Sequence, residues 1–317
     1  MIFSINHKIL TMEKKEELYR GKTKAVFATE DPDVVMIKNF DALTKFDTPE
    51  LTEQMRDKAK FATQTTCNVF RFLQAAGVPV AFRGQWSETE FLVDKCQMIP
   101  LEVIIRRYAV GSYLNRVPEL KAEDGQPPHR FEKLVFELFL KTTGKVIKSF
   151  DGREIGNVPV EDPLIDDWSL SDPFWNLRHP KLPYLERGSD FGVVVNLQDI
   201  IPGPDLISEI EKITRDTFLL LEGVWSQLEC RLIDFKIEFG ITSDGRLLVA
   251  DVIDNDSWRL RTNEWQELSK QLFRDNADMG EISSKYQLVA NLSESFLSFL
   301  MEALQYYDEQ YAVEKKL

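Results

Sequence analysis

The sequence predicts a mixed protein of antiparallel β-hairpins and amphipathic helices, and three stretches carry that reading. Residues 232–241 alternate without a break: Ile233, Phe235, Ile237, Phe239 and Ile241 take one face and Asp234, Lys236 and Glu238 the other, the period of a half-buried strand. Asp244 and Gly245 then supply the pair preferred by a two-residue hairpin loop, which needs positive φ at both central positions. Residues 17–29, ELYRGKTKAVFAT, repeat strand, tight turn and strand near the start. Residues 205–228 carry Leu206, Ile210, Ile213, Leu220, Val224 and Leu228 at helical spacing. With 317 residues the chain is long enough for two subdomains, each with its own core.

Taken in order, residues 1–14 read as a disordered leader, too short and too interrupted by Asn6, His7 and Lys8 for a signal peptide, with Met12 as an alternative start. The hairpin of residues 17–29 contains GKT, but a P-loop needs a glycine at position 16, which is Glu16, and the chain continues as strand where a P-loop opens a helix. What remains is a basic flap of Arg20, Gly21, Lys22 and Lys24, suited to phosphates or simply solvated. A strand follows at 34–40. Thr48-Pro49-Glu50 resembles a helix start, leading into a long helix over 53–76 that Gly77 ends.

Short strands are expected at 78–82 and 90–95, then a bend at Met98-Ile99-Pro100 that divides a flap subdomain (15–98) from a larger one (99–317). Residues 101–115 make a strand whose neighbouring Arg106 and Arg107 point to opposite sides, ending in a turn at Gly111-Ser112; one arginine with Ser112 suits a phosphate. Residues 135–141, VFELFLK, alternate again and end on Lys141. The stretch 143–203, rich in Gly, Pro and Trp, reads as ordered loops over a cleft. After the 205–228 helix and the central hairpin, helices are expected through Lys270 and Arg274 and over 282–311.

Composition narrows the function. A net charge of −13 argues against a nucleic-acid surface, so an anionic substrate needs a local basic pocket. Cys67, Cys96 and Cys230 have no CxxC spacing, which suits a reducing, cytoplasmic compartment, and three dispersed histidines give no zinc site. No apolar run is long enough for a membrane span. Counting outward from a two-residue loop brings Glu238 opposite Asp251. Two facing carboxylates call for a cation, and a divalent metal with hard oxygen ligands is the natural one; Lys236 on the same face could hold an anion beside it. The competing account is the solvated polar side of an ordinary hairpin.

The blocks ELYRGKTKAVF, CQMIPLEVIIRRYAVGS, ELFLK, LIDFKIEFG and ADVIDNDSWRL, in this order over roughly residues 17–275, resemble the SAICAR synthetase (phosphoribosylaminoimidazole-succinocarboxamide synthase) family of purine biosynthesis. The resemblance implies an α+β fold in two parts, an N-terminal antiparallel sheet with a phosphate flap and a larger C-terminal domain, with ATP between them. It implies a Mg²⁺- and ATP-dependent ligase that joins L-aspartate to CAIR to give SAICAR, ADP and phosphate through an acyl phosphate. By similarity, Gly21, Lys22, Lys24 and Met98 meet ATP. Arg106, Ser112, Asp256, Arg259 and Arg274 meet substrate, and Glu238 and Asp251 the metal. Lys236 lies beside the reacting phosphate, with Asp234 and Lys141 the other catalytic candidates. A monofunctional synthetase and a homo-oligomer are expected on the same ground.

The sequence departs from the family at FDALTKFD, at Lys58-Ala59 where Lys-Gly is usual, and at an apparent insertion over 143–203. A kinase-like phosphotransferase on a phosphorylated small molecule, which would lack its HRD triplet here, and a nucleotide-binding homologue without activity remain as alternatives.

Overall fold

The computed structural model describes residues 12–44, 51–166, 168, 169 and 172–314, with side chains through Tyr306. The leader expected before Met12 and the Thr48-Pro49-Glu50 helix start lie outside the described residues. β1 (Lys14–Arg20) and β2 (Lys24–Thr29) form the flap, closed by the Gly21 amide donating to the Lys24 carbonyl at 2.9 Å. β3 (Val34–Asn39) follows as expected.

The long helix starts later than its sequence suggests. Residues 52–54 form β5 (Thr52–Gln54), paired with β4 (Ala42–Thr44), and α1 (Lys58–Ala75) begins after Asp57, which has φ 63°. Short-range hydrogen bonding to β4 overrides helix propensity there, and Lys58 becomes the first helical residue. Gly77, at φ 85°, lies past the helix end as expected. β6 (Phe82–Gln85) sits slightly beyond its expected place because residues 79–81 instead join the second sheet, with Ala81 N–H donating to Val249 O at 2.9 Å. β7 (Glu90–Asp94) completes a five-stranded antiparallel sheet of order β1-β2-β3-β7-β6, on which α1 packs through Val69, Phe70 and Leu73.

β8 (Cys96–Met98), β9 (Leu101–Tyr108), the short α2 (Ser112–Arg116) and β10 (Arg130–Leu140) lead into the segment expected as loops. Loops and turns make up most of it, as expected, but short strands run between them. β11 (Thr142–Thr143), β12 (Val146–Lys148) and β13 (Glu154–Asn157) form a small sheet, while β14 (Leu164–Asp166), β15 (Phe174–Arg178) and β16 (Asp190–Asn196) extend the main one. Trp175, Leu177 and Val195 bury their side chains there, so short apolar runs interrupted by Gly and Pro serve as strands of the main sheet, with β16 at its edge.

α3 (Leu197–Ile200) and α4 (Leu206–Gln227) precede β17 (Cys230–Thr242), which pairs with β9 and β19 (Trp258–Thr262) along its first half and with β8 and β18 (Leu247–Ala250) along its second. The apolar face of β17 packs on α4, with the Phe218 and Phe235 rings 5.5 Å apart. The loop after β17 has three residues, not two. Thr242 pairs with Arg246, the Gly245 amide donates to Thr242 O at 3.0 Å, and Gly245 takes φ 85°. A tight turn followed by a left-handed glycine closes such a loop as readily as Asp-Gly closes a shorter one. The register moves by one: Glu238 faces Ala250, and Asp251, at φ 64°, turns out of the strand.

Beyond β19 a single helical turn, α5 (Gln271–Arg274), precedes α6 (Met279–Ser293) and α7 (Phe296–Glu314), and both long helices pack against α1. One hydrophobic core runs from Val35 in the first sheet to Phe296. Among the described residues no helix is long and apolar enough to cross a membrane.

Candidate active site

The polar face of β17 carries two clusters, and a third surrounds Asp256 in the turn between β18 and β19. The first holds Lys236, whose amine lies 2.8 Å from Glu102 and 2.9 Å from Glu238, and Lys141, 2.6 Å from the other Glu238 oxygen. Lys24, arriving from the flap, pairs with Asp251. Three lysines thus meet three carboxylates, and the flap is joined to the main sheet through that last pair. Burial alone would pull the Lys236 amine down, yet Glu238, Glu102 and Asp251 together hold it well above the usual lysine value. Burial would raise the Glu238 carboxyl, but Lys236, Lys141 and Lys24 hold it well below its ordinary value. Both groups are charged at neutral pH.

The sequence places Glu238 and Asp251 face to face; the observed register instead separates them by one strand position and joins them through shared lysines. Among the described residues no group of three or more His, Cys, Asp or Glu side chains gathers to cage a metal. Two carboxylates suit Mg²⁺, which keeps water and phosphate oxygens in its shell, better than zinc or calcium.

The second cluster follows directly from strand register. Arg106, Asp234 and Arg259 lie opposite one another across β9, β17 and β19. Asp234 Oδ2 accepts from Arg106 Nη1 at 2.5 Å and from Arg259 Nη1 at 2.6 Å. Arg106 Nε donates to Glu137 at 2.6 Å, while its Nη2 faces Ser112 Oγ at 3.5 Å. Arg107, as strand alternation requires, points the other way and pairs with Glu222 of α4. Gly111 is held to glycine by its φ of 58° and by the Arg259 guanidinium, into which a Cβ would collide. Arg116 also pairs with Glu137. Three arginines face two carboxylates here, so one positive charge is left for an anion.

The third cluster surrounds Asp256. Its oxygens accept from Tyr286 at 2.7 Å and Lys58 at 3.1 Å, with Lys270 at 3.4 Å. Burial would raise the Asp256 carboxyl, but Lys270, Lys58 and the Tyr286 hydroxyl hold it well down. Its neighbour Asp254 is pushed up to about 6 by burial and then by Asp256. Arg274 lies in electrostatic reach of both Tyr286 and Arg259, between the second and third clusters.

The other sequence candidates lie at the flap and at the connection. Lys22 lines a cavity of about 570 Å³ with Lys38, Asp41, Asp57, Lys60 and Glu88. Met98 is 38% exposed and pairs with Gly240, whose hydrogen leaves room for β8: a Cβ there would run into Cys96 Cβ, with Met98 Sδ at 3.2 Å. The three cysteines are free; burial pushes Cys67 and Cys96 up to about 12 and Cys230 up to about 11.

Sequence reasoning missed Glu102, Glu137, Lys58 and Tyr286. Glu102 shares strand phase with Arg106, and Glu137 with Lys141, so period two held the signal for both. The sequence marks Lys58 only as part of the Lys58-Ala59 departure, without a role, and Tyr286 comes from a helix distant in sequence, where nothing local marks it.

A family model described as SAICAR synthetase matches residues 17–146 and 193–292. The chain belongs to the SAICAR synthetase family. The unmatched residues 147–192 fall inside the insertion expected at 143–203. A phosphoribosylaminoimidazole-succinocarboxamide synthase of Chloroflexus aurantiacus is 34% identical over 293 residues, covering 89% of this chain and 97% of that protein. The probable multifunctional protein ADE2 of Caenorhabditis elegans is 34% identical over 292 residues, and the match takes in 90% of this chain but 59% of that longer protein. Among solved structures, the synthase of Ehrlichia chaffeensis superposes with a TM-score of 0.65 at 21% identity, covering 88% of this chain and 98% of that one. A SAICAR synthetase in complex with ADP gives 0.64 at 23% identity, covering 87% and 97%. These likenesses establish the α+β fold.

Proposed function

We infer that this SAICAR synthetase family member is an ATP-dependent ligase that condenses L-aspartate with CAIR to form SAICAR, ADP and phosphate. The observation that carries the reading is the joined pair of clusters on one sheet face, lysines with carboxylates beside an arginine row with one uncompensated positive charge. A carboxylate accepts an amine only after one of its oxygens becomes a leaving group. A CAIR carboxylate oxygen attacks the γ-phosphorus, the bond to ADP breaks, and an acyl phosphate results. The aspartate amine then attacks the acyl carbon, the C–O bond to phosphate breaks, and the proton lost from the nitrogen passes to the departing phosphate.

In this scheme Arg106, Ser112 and Arg259 bind the ribotide phosphate, and Asp234, buried between the two arginines, orients them. Lys236 and Lys141 sit where charge develops on the transferred phosphoryl group, a role worth several kcal/mol in a water-poor site. Gly21, Lys22 and Lys24 cover the ATP phosphates, and Met98 at the β8 edge borders the base. Glu238 and Asp251 would hold Mg²⁺, which neutralises phosphate charge when bound. Nucleotide entry would draw Lys24 from Asp251 onto phosphate and free that carboxylate for the metal. Asp256, Lys270 and Arg274 border the aspartate and ribotide end. A cytoplasmic enzyme, dividing near Met98 into a flap part and a larger part, is consistent with this scheme. The kinase-like alternative has less support, because the sequence has no HRD catalytic-loop triplet.

The test is ADP release and SAICAR formation, followed by mass, with Mg-ATP and CAIR in the presence and absence of L-aspartate. Aspartate-dependent SAICAR is expected, with turnover falling at least about a hundredfold in Lys236→Ala and Asp251→Asn. ADP release without SAICAR would sink the ligase reading.

A further inference from the structure

We propose that Arg116 is a positioning residue of the arginine row and that the β15–β16 loop, outside the family match, holds it in place, so that affinity for the phosphorylated ribotide depends on that loop. The inference rests on the ribotide-phosphate reading of the row. Arg116 ends α2, four residues after Ser112, and its side chain is 1% exposed. Nη1 donates to the Pro180 carbonyl at 2.6 Å and Nη2 pairs with Glu137, whose other oxygen accepts from Arg106 Nε at 2.6 Å. The guanidinium lies over the rings of Tyr113 and Phe139, with its carbon 5.6 and 5.7 Å from their centroids.

A continuous chain of charge-assisted contacts therefore runs from Pro180 through Arg116, Glu137, Arg106 and Asp234 to Arg259. Nε and Nη1 of Arg106 are committed within it, and Nη2 faces Ser112.

The loop is itself well braced. His179 Nδ1 accepts from the amides of Lys181 at 3.0 Å and Leu182 at 3.1 Å, the His179 amide donates to Ser189 O at 2.7 Å, and Ser189 Oγ donates to Tyr184 O at 2.8 Å. Arg116 supplies the third positive charge against Glu137 and Asp234. Without it the two remaining arginines only balance the two carboxylates, and Glu137 competes for Arg106 unopposed. Arg116 Nε is buried without a hydrogen-bond partner, so its hydrogen bonds to Pro180 and Glu137 come from the two terminal nitrogens alone.

The experiment measures the dissociation constant of CAIR by titration calorimetry, with KM values for CAIR, ATP and aspartate, on the wild type and two variants. Arg116→Met removes the charge and keeps the volume. In the second variant Asn-Gly replaces residues 180–188; His179 and Ser189 already face each other, so a two-residue turn closes the hairpin and removes the Pro180 carbonyl while Arg116 stays. CAIR binding is expected to weaken about tenfold or more in Arg116→Met and about threefold or more in the shortened hairpin, the scale of one charge-assisted hydrogen bond. The KM for ATP should stay unchanged.

CAIR binding as tight as wild type in either folded variant overturns the proposal, as does a parallel rise in the ATP and CAIR constants. If Arg116→Met does not fold, the hairpin variant decides. A wild type that binds CAIR without forming SAICAR removes the ligase reading and leaves this inference to the dissociation constants. A wild type that does not bind CAIR removes both.

Discussion

At the scale of single residues, buried carboxylates of opposite character set the response to pH. Asp254 binds its proton more tightly in the folded chain, with a value of about 6 against an ordinary 3.8. Its contribution to stability is complete below the ordinary value and is lost as pH rises through about 6. Glu238 and Asp256, held below their ordinary 4.5 and 3.8, contribute stability above those values and lose it as pH falls. In Asp254→Asn, melting followed by circular dichroism should show the variant gaining on wild type between about pH 4 and 7 and a constant difference above that. A difference independent of pH would mean that Asp254 is not the group being titrated. Lys58, buried against Asp256, gives a second expectation. Lys58→Met should cost about 3 kcal/mol in urea unfolding, and a double-mutant cycle with Asp256→Asn should return a coupling of about 1–3 kcal/mol. A coupling near zero would assign the loss to helix α1 rather than to the ion pair.

At the scale of elements, β8 depends on a missing side chain. Gly240→Ala pushes a methyl group toward Cys96 Cβ and Met98 Sδ, so β8 must shift. The expected cost is about 1–3 kcal/mol, with KM for ATP rising about tenfold while turnover changes less. Unchanged ATP kinetics would place the base elsewhere than beside Met98. How far the sequence discloses these elements depends on the range of the signal. Strand alternation in residues 232–241 marks both the core face and the chemical face of β17, because both are local and share a period of two. The Asp244-Gly245 pair marks a hairpin without fixing its length, since the same residues fit a two- or a three-residue loop, and that single residue decides what faces Glu238. Residues 52–54 have a helical composition, yet pairing with β4 outweighs it. The Asp256 cluster was the least legible part of the site, as α1, α5 and α6 reach it from about two hundred residues away in sequence on one side and across two helices on the other.

At the scale of the whole molecule, an acidic chain gathers Arg106, Arg116, Arg259, Lys141 and Lys236 around the polar side of β17, and its last helix runs past the shared core. Residues 301–306 are all exposed, with Met301 at 57%, Leu304 at 48% and Tyr306 at 63%. A chain ending at Leu300 should lose less than about 0.5 kcal/mol in calorimetry if nothing covers that helix. A larger loss, with a change of mass in size-exclusion chromatography, would instead identify the helix as the contact of a homo-oligomer. The strand at the centre imposes a different constraint, on length rather than on composition. β17 carries the hydrophobic core on one set of alternate residues and Asp234, Lys236 and Glu238 on the other, so inserting or deleting one residue between them exchanges the two sets beyond that point. Substitutions can be absorbed there one at a time; a change of count cannot. Growth of the gene is therefore channelled to the margin of the sheet, where β14, β15 and β16 add three strands beside β10 without shifting the phase of β17.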